Sequence, residues 1–224
     1  MADRDPEQDI LFKEVDEELR QEQFSKLWKQ YGKYAIGAAV LLVASVGGYQ
    51  AWQAWDLNRR TADSLQFAGA LQAIQSEDAA RAQEILGRLA TEGTAGYAVL
   101  ARLNQASLIA QRGDKATAAA AYFAVADDTG VDEIFRNMAV ILGAIQDLDR
   151  GDPRQLTGRL QPLMAGGSPW RHSAKELTAW LLERQGGSAQ SRQLFQELAD
   201  DVTAPPGIRG RAAEKLAMLG TAGS

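Results

Sequence analysis

The rhythm of hydrophobic and polar positions changes twice along the chain. Over residues 7–32 apolar side chains recur at helical spacing: Phe12, Val15 and Leu19 at i, i+3 and i+7, then Phe24, Leu27, Trp28 and Tyr31. That spacing predicts an amphipathic helix. Lys33 is then the last charge before Asp56, and the 22 residues between them carry none. As a helix rising about 1.5 Å per residue this stretch reaches roughly 33 Å, enough to cross a hydrocarbon core of about 30 Å. Beyond residue 56 helical rhythm returns, broken by Gly-containing turns. Alanine and leucine dominate and β-branched residues are sparse, which predicts an all-α chain. Three parts follow: an arm at 1–33, a transmembrane helix at 34–55 and a helical domain at 56–224.

The helical domain repeats itself. Four turns align at Glu77, Gly113, Gly151 and Gly186, separated by 36, 38 and 35 residues. After Gly113 come Ala118, Tyr122 and Val125: a small residue to admit a neighbouring helix, then a ring and an apolar residue to fill the gap between pairs. The same offsets hold Ala82, Leu86 and Leu89; Leu156, Leu160 and Leu163; and Ser191, Phe195 and Leu198. The third unit has Leu156 where a small residue is expected. A period near 34 residues marks tetratricopeptide-type helix pairs, so the prediction is a stack of about four degenerate pairs, an α-solenoid. A last helix, about 207–219, follows Pro205-Pro206. Its cations Arg209, Arg211 and Lys215 share a face, as on the polar outer side of a terminal cap.

Aromatic residues bracket the uncharged stretch: Trp28, Tyr31 and Tyr34 at one end, Tyr49, Trp52 and Trp55 at the other. Amphipathic rings favour the headgroup level. A cleaved signal peptide would need a shorter apolar core and a basic leader; here the leader would be 33 residues long and rich in acid, with only Ser45 and Gly47 as a weak cleavage site. A buried core helix is the other reading, to which Gly47-Gly48-Tyr49, Gln50 and Gln53 lend some weight, but the paired aromatic belts favour the bilayer. Arg20, Lys26, Lys29 and Lys33 precede the span and only Arg59 and Arg60 follow closely, so the positive-inside rule puts the N-terminus in the cytoplasm. Gly37, Ala44, Gly48 and Ala51 give the span one small-residue face open to another membrane helix. In the arm, acid comes early (Glu14, Asp16, Glu17, Glu18) and lysine late, which suits the helix dipole and an anionic headgroup surface.

Charge narrows the function. The arm holds six basic and nine acidic side chains, and residues 56–224 hold eighteen and twenty. Neither has the basic excess that nucleic acid requires. There is no cysteine and one histidine, so thiolate metal sites and disulfides are excluded, and no nucleophile–base constellation, cofactor motif or calcium loop is found. His172 reads as a surface or capping residue at a helix start. Asp127-Asp128 with Asp132-Glu133, and Asp147, Asp149 and Asp152, read as solvated turns. Arg112-Gly113-Asp114 and Arg150-Gly151-Asp152 fall at the same place in two repeats. Gly is expected there in the left-handed conformation, and Asp as the cap of the next helix. The chain does not read as an enzyme.

The run from Phe24 through Trp28, Tyr31-Gly32-Lys33, Gly37, Gly47-Gly48 and Trp52, followed by degenerate helix pairs to the end, resembles the YfgM-like ancillary subunits of the bacterial SecYEG translocon. The resemblance implies a single-pass protein of the bacterial inner membrane with its repeats in the periplasm. Its implied partners are the SecYEG translocon, emerging or unfolded polypeptides, and a periplasmic chaperone such as a membrane-anchored peptidyl-prolyl isomerase-like protein. Helix-pair stacks bind through a groove lined by the first helix of each pair, for which Tyr97, Arg102, Asn104, Gln105, Arg136 and Asn137 are the candidates. A scaffold for another envelope machine, for cell division or outer-membrane assembly, would share the same anchor and groove.

Overall fold

The computed structural model describes the backbone of residues 6–221 and the side chains of residues 25–219 apart from Ala35. Among these residues every regular element is helical. The chain divides into two units, residues 1–59 and 60–224. Helix α1, Pro6–Gln75, contributes to both. The arm side chains Phe12, Val15, Leu19 and Phe24, and the early acids, lie outside the residues whose side chains are described.

In the first unit the side chains of residues 36–55 are all exposed. A cation lies over an aromatic ring at each end of this stretch, Lys33 over Tyr34 at 5.0 Å and Arg59 over Trp55 at 5.1 Å. This is the one described helix long and apolar enough to cross a membrane.

The second unit starts with the C-terminal end of α1, followed by α2 (Ala79–Glu92), α3 (Ala95–Gln111), α4 (Lys115–Ala126), α5 (Glu133–Asp147), α6 (Pro153–Leu160) with a one-turn 3₁₀ helix at Gln161–Met164, α7 (Arg171–Arg184), α8 (Ser188–Asp200) and α9 (Pro206–Thr221). Four helix pairs and a closing helix result. The turns inside the pairs show why the sequence breaks there. Glu77, Gly113 and Gly186 take positive φ, at 57°, 88° and 81°, the left-handed conformation that ends a helix. Asp78, Asp114 and Asp152 accept hydrogen bonds from the backbone N–H of Arg81, Thr117 and Arg154, capping the next helix in the first three pairs. Gly151 corrects the sequence reading, since it does not take positive φ. Its need for glycine is steric: a Cβ there would run into the Asp147 carboxylate and carbonyl oxygen.

The core is a chain of clusters, each built from three successive helices. Ala70 and Ala73 of α1 meet Ala82, Leu86 and Leu89 of α2 and Ala101 and Leu108 of α3. Val99, Leu103 and Ala106 of α3 meet Tyr122 and Val125 of α4 and Ala139 of α5, with Val131 between. Ile141 and Ala144 of α5 join Leu156 and Leu160 of α6, Leu163, and Ala174, Leu177 and Leu181 of α7. Ala179 of α7 meets Phe195 and Leu198 of α8 and Ile208 and Ala212 of α9. Ala118, Tyr122, Val125 and Phe195 are all buried. One position escaped the sequence reading. Ala70, Ala106, Ala144 and Ala179 each lie seven residues before the turn of their pair, and each is completely buried. They are the first-helix counterparts of the small residue five positions after the turn. The third pair has Leu156 opposite and still closes, with Leu156 buried.

Two further expectations are corrected. His172 is not a surface residue: it is buried, and its Nε2 lies 3.0 Å from the Asp201 carboxylate in the loop between α8 and α9. Thr203 completes the knot, its backbone N–H and hydroxyl both donating to Asp201 Oδ1 while Arg171 donates to the hydroxyl oxygen. The cations of α9 do not all face outward either. Arg211 forms a two-pronged ion pair with Glu176 of α7 at 2.7 and 2.8 Å. Lys215 pairs with Glu183 at 2.7 Å and stands 4.5 Å from the centre of the Trp180 ring. The last helix is thus held by charge as well as by Ile208 and Ala212, because α7 presents acids toward it.

Three outcomes follow for stability. Ala106→Leu overfills the α3–α4 contact and is expected to lower unfolding free energy by about 1–3 kcal/mol, and Phe195→Ala by about 3–5 kcal/mol, both read from denaturant unfolding followed by circular dichroism. Gly113→Ala is expected to cost about 1 kcal/mol because of its positive φ, whereas Gly158→Ala, on the exposed face of α6 with open space around it, should stabilise by about 0.4–1 kcal/mol. Asp201's carboxyl is held well below the usual carboxylate range, first by the Thr203 hydroxyl, then by the Thr203 N–H and by His172. A depressed carboxyl contributes stability above its unfolded pKa of about 3.9 and loses that contribution as pH falls through the folded value. Wild type should therefore be more stable than Asp201→Asn at neutral pH, and the gap should narrow below about pH 4, as measured by melting temperature across pH.

Candidate protein-interaction surface

Stacked helix pairs leave side chains stranded at every junction, and here basic residues reach back across them. Arg159 of α6 makes a two-pronged pair with Asp127 at the end of α4, at 2.7 and 3.1 Å, with its guanidinium 4.6 Å from the centre of the Phe123 ring. These bonds hold the Asp127 carboxyl below its ordinary value and push the Arg159 guanidinium up. Arg184 of α7 donates to the carbonyl oxygens of Leu148 and Gly151 in the preceding pair. Arg112, which ends α3, reaches back to α2 and meets a neutral amide there, donating to Gln83 Oε1 at 3.1 Å.

Beside Arg112 lies a pocket of about 300 Å³ between α2, α3 and α4, mostly apolar in its lining. Leu108, Ile109, Ala121 and Ala124 supply the apolar part; Gln83, Arg102, Gln105 and Arg112 supply the polar part. α3 and the residue that caps it thus bring both kinds of lining to the space, Leu108 and Ile109 beside Arg102, Gln105 and Arg112.

The six groove candidates part company. Arg102 and Gln105 line this pocket. Arg102 also pairs with Asp128 at 2.7 Å and donates to the Ala124 carbonyl oxygen. Asp128 is held below its ordinary value, mainly by the Arg102 hydrogen bond, then by the Gly130 N–H, with smaller help from the charge of Arg136. Tyr97 turns toward α1, its ring 5.9 Å from that of Phe67. Asn104 donates to Leu100 O one turn earlier in α3, and Asn137 donates to Glu133 within α5. Arg102 and Arg136 thus converge on Asp128, whereas Tyr97, Asn104 and Asn137 are engaged locally. Of the span residues, a Cβ added at Gly37 or Gly48 would meet nothing within 4 Å, and Ala44 and Ala51 are exposed.

Among the described residues no group of three or more histidine, cysteine, aspartate or glutamate side chains is placed to hold a metal ion. The pocket's polar residues, Gln83, Gln105, Arg112 and an Arg102 already paired with a carboxylate, offer hydrogen bonds and charge but no nucleophile with its base. The arrangement is suited to holding another molecule.

Comparison with known proteins agrees with the helix pairs. No curated protein and no solved structure matches the chain. Residues 25–204 match the tetratricopeptide repeat-like domain, whose helix pairs form a protein-interaction fold, and the chain belongs to that family.

Proposed function

We propose that this protein is a membrane-anchored scaffold that binds other proteins, and more narrowly an accessory of the bacterial Sec translocon. In this reading α1 crosses the inner membrane with the N-terminus in the cytoplasm, and the repeats act in the periplasm, linking emerging chains to a periplasmic chaperone such as a membrane-anchored peptidyl-prolyl isomerase-like protein. The observation that carries the anchor is the fully exposed apolar run of residues 36–55. An exposed apolar surface of this length is costly in water and needs a cover. Lipid suits it best, because the run ends on cation–ring pairs, at Lys33 with Tyr34 and Arg59 with Trp55, where a ring and a snorkelling cation both reach the headgroups. The hydroxyl of Ser45 donates to Leu41 O at 2.7 Å within the helix, as a polar group in hydrocarbon must.

Gly37 and Gly48 with Ala44 and Ala51 give the span a smooth face, to which a translocon helix could approach closely. Binding of client or chaperone rests on the repeat family and on the polar junctions of the second unit. The narrower translocon reading rests on the likeness of the Phe24–Trp52 segment and the order of parts.

Affinity purification of the tagged full-length chain from mildly solubilised membranes tests both levels. Translocon subunits should be recovered, and lost when residues 1–55 are replaced by an unrelated anchor. Gly48→Leu should lower that recovery severalfold by holding the partner helix away; undiminished recovery removes this face from the interaction. Recovery of division or outer-membrane assembly factors instead keeps the anchored scaffold and transfers it to another envelope machine.

A further inference from the structure

The junctions between pairs are not electrically alike. Where the third pair meets the second, Arg159 ends on a carboxylate, Asp127. Where α9 meets the fourth pair, Arg211 and Lys215 end on Glu176 and Glu183. Arg184 ends on two carbonyl oxygens near a helix terminus, where the helix dipole is negative. At the first junction Arg112 has a single neutral side-chain acceptor, Gln83, and among the described residues it has no carboxylate partner. Arg171 on the Thr203 hydroxyl and Arg192 on the Leu219 carbonyl oxygen also end on neutral acceptors, but Arg112 in addition lines the pocket between α2, α3 and α4. That pocket measures about 300 Å³. An exposed guanidinium beside an apolar depression offers two complementary halves: two-pronged donation to a carboxylate and burial of an aliphatic group.

Arg102, across the same pocket, does not compete for an added carboxylate, since its charge is met by Asp128 at 2.7 Å. The pocket therefore has room for one net negative charge, at the Arg112 end, and the apolar floor adjoins it. The volume suits a side chain and its neighbour rather than a folded surface or a long helix. Its lining residues come from α2, α3 and α4 and from Arg112, which caps the end of α3.

We propose that the pocket between α2, α3 and α4 takes an acidic–aliphatic segment of a partner polypeptide, with one carboxylate side chain on Arg112 and the adjoining aliphatic side chain over Leu108, Ile109, Ala121 and Ala124. This deepens the protein-binding reading and rests on it: it names the chemistry of the segment that the second unit selects. Emerging chains with such segments would be held, and basic or purely polar segments would not.

The test uses the full-length chain in lipid nanodiscs and fluorescent peptides blocked at both ends, Gly-Ser-Glu-Leu-Ser-Gly and its Gln-Leu and Lys-Leu counterparts, with binding read by anisotropy. The Glu-Leu peptide should bind, and weaken as salt rises. Loss of one charge-assisted hydrogen-bonded pair should weaken binding about tenfold, both for the Gln-Leu peptide and for the Arg112→Gln variant. Gln83→Glu is the decisive variant: it gives Arg112 an internal carboxylate, as at the neighbouring junctions, so it should abolish Glu-Leu binding while leaving the melting temperature unchanged or raised. Equal binding of Glu-Leu and Gln-Leu peptides, undiminished binding by Gln83→Glu, no binding by wild type, or binding only of a Leu-ended peptide with a free C-terminal carboxylate would each overturn the proposal. Failure here is separable from failure of the scaffold reading. Membrane partners recovered equally by wild type and Arg112→Gln would sink the pocket and leave the scaffold. Peptide binding as expected with no membrane partner recovered would sink the translocon assignment and leave the pocket.

Discussion

Everything in the repeat unit depends on how closely the two helices of a pair can approach. Ala70, Ala106, Ala144 and Ala179 are fully buried at one register of the first helices, and Ala82, Ala118 and Ser191 stand at the matching register of the second. With alanine or serine on each side in these three pairs, the backbones come near enough for the larger neighbours, Leu86, Tyr122 and Phe195, to close the space toward the next pair. Each core cluster then borrows from three consecutive helices, so no pair is complete without its neighbour. Such a stack holds its hydrophobic surface in short local contacts, and stability passes along it from junction to junction.

That economy of contact has an electrostatic consequence. A narrow stack leaves its edges polar, and charged side chains span the junctions: Arg159 to Asp127, Arg211 to Glu176, Lys215 to Glu183. The Arg159–Asp127 pair is the more exposed and contributes little to stability, whereas Glu176 is buried and Lys215 and Glu183 are largely covered, so the α7–α9 pairs help to hold the last helix and fix which helix face meets which. At Arg112 no carboxylate is met among the described residues, and the guanidinium stands exposed beside the pocket of α2, α3 and α4.

The first unit poses the opposite problem. The repeats bury their apolar stripes against one another, whereas residues 36–55 have no described protein surface to bury against. Their aromatic ends, the internally bonded Ser45 and the small face at Gly37 and Gly48 are all consistent with a solvent that is apolar over the length of the run and polar at both ends.

Sequence alone determined the helical content, the uncharged run, the spacing of the turns and the alternation of small and large residues after them, because these depend on local propensity and on period, which a single chain displays. It also identified Asp114 and Asp152 as caps and Gly113 as left-handed, since capping is decided within four residues. Tertiary structure alone decided what lies across a junction. His172 became buried against Asp201 because the α8–α9 loop folds back onto α7, and Arg211 and Lys215 turned to α7 because Glu176 and Glu183 await them there. Of the six groove candidates only Arg102 and Gln105 came to share a pocket, because the rotation of α3 about its own axis is set by packing on both flanking helices. Contacts between residues some thirty positions apart are fixed by that packing, and no local pattern in the chain encodes it.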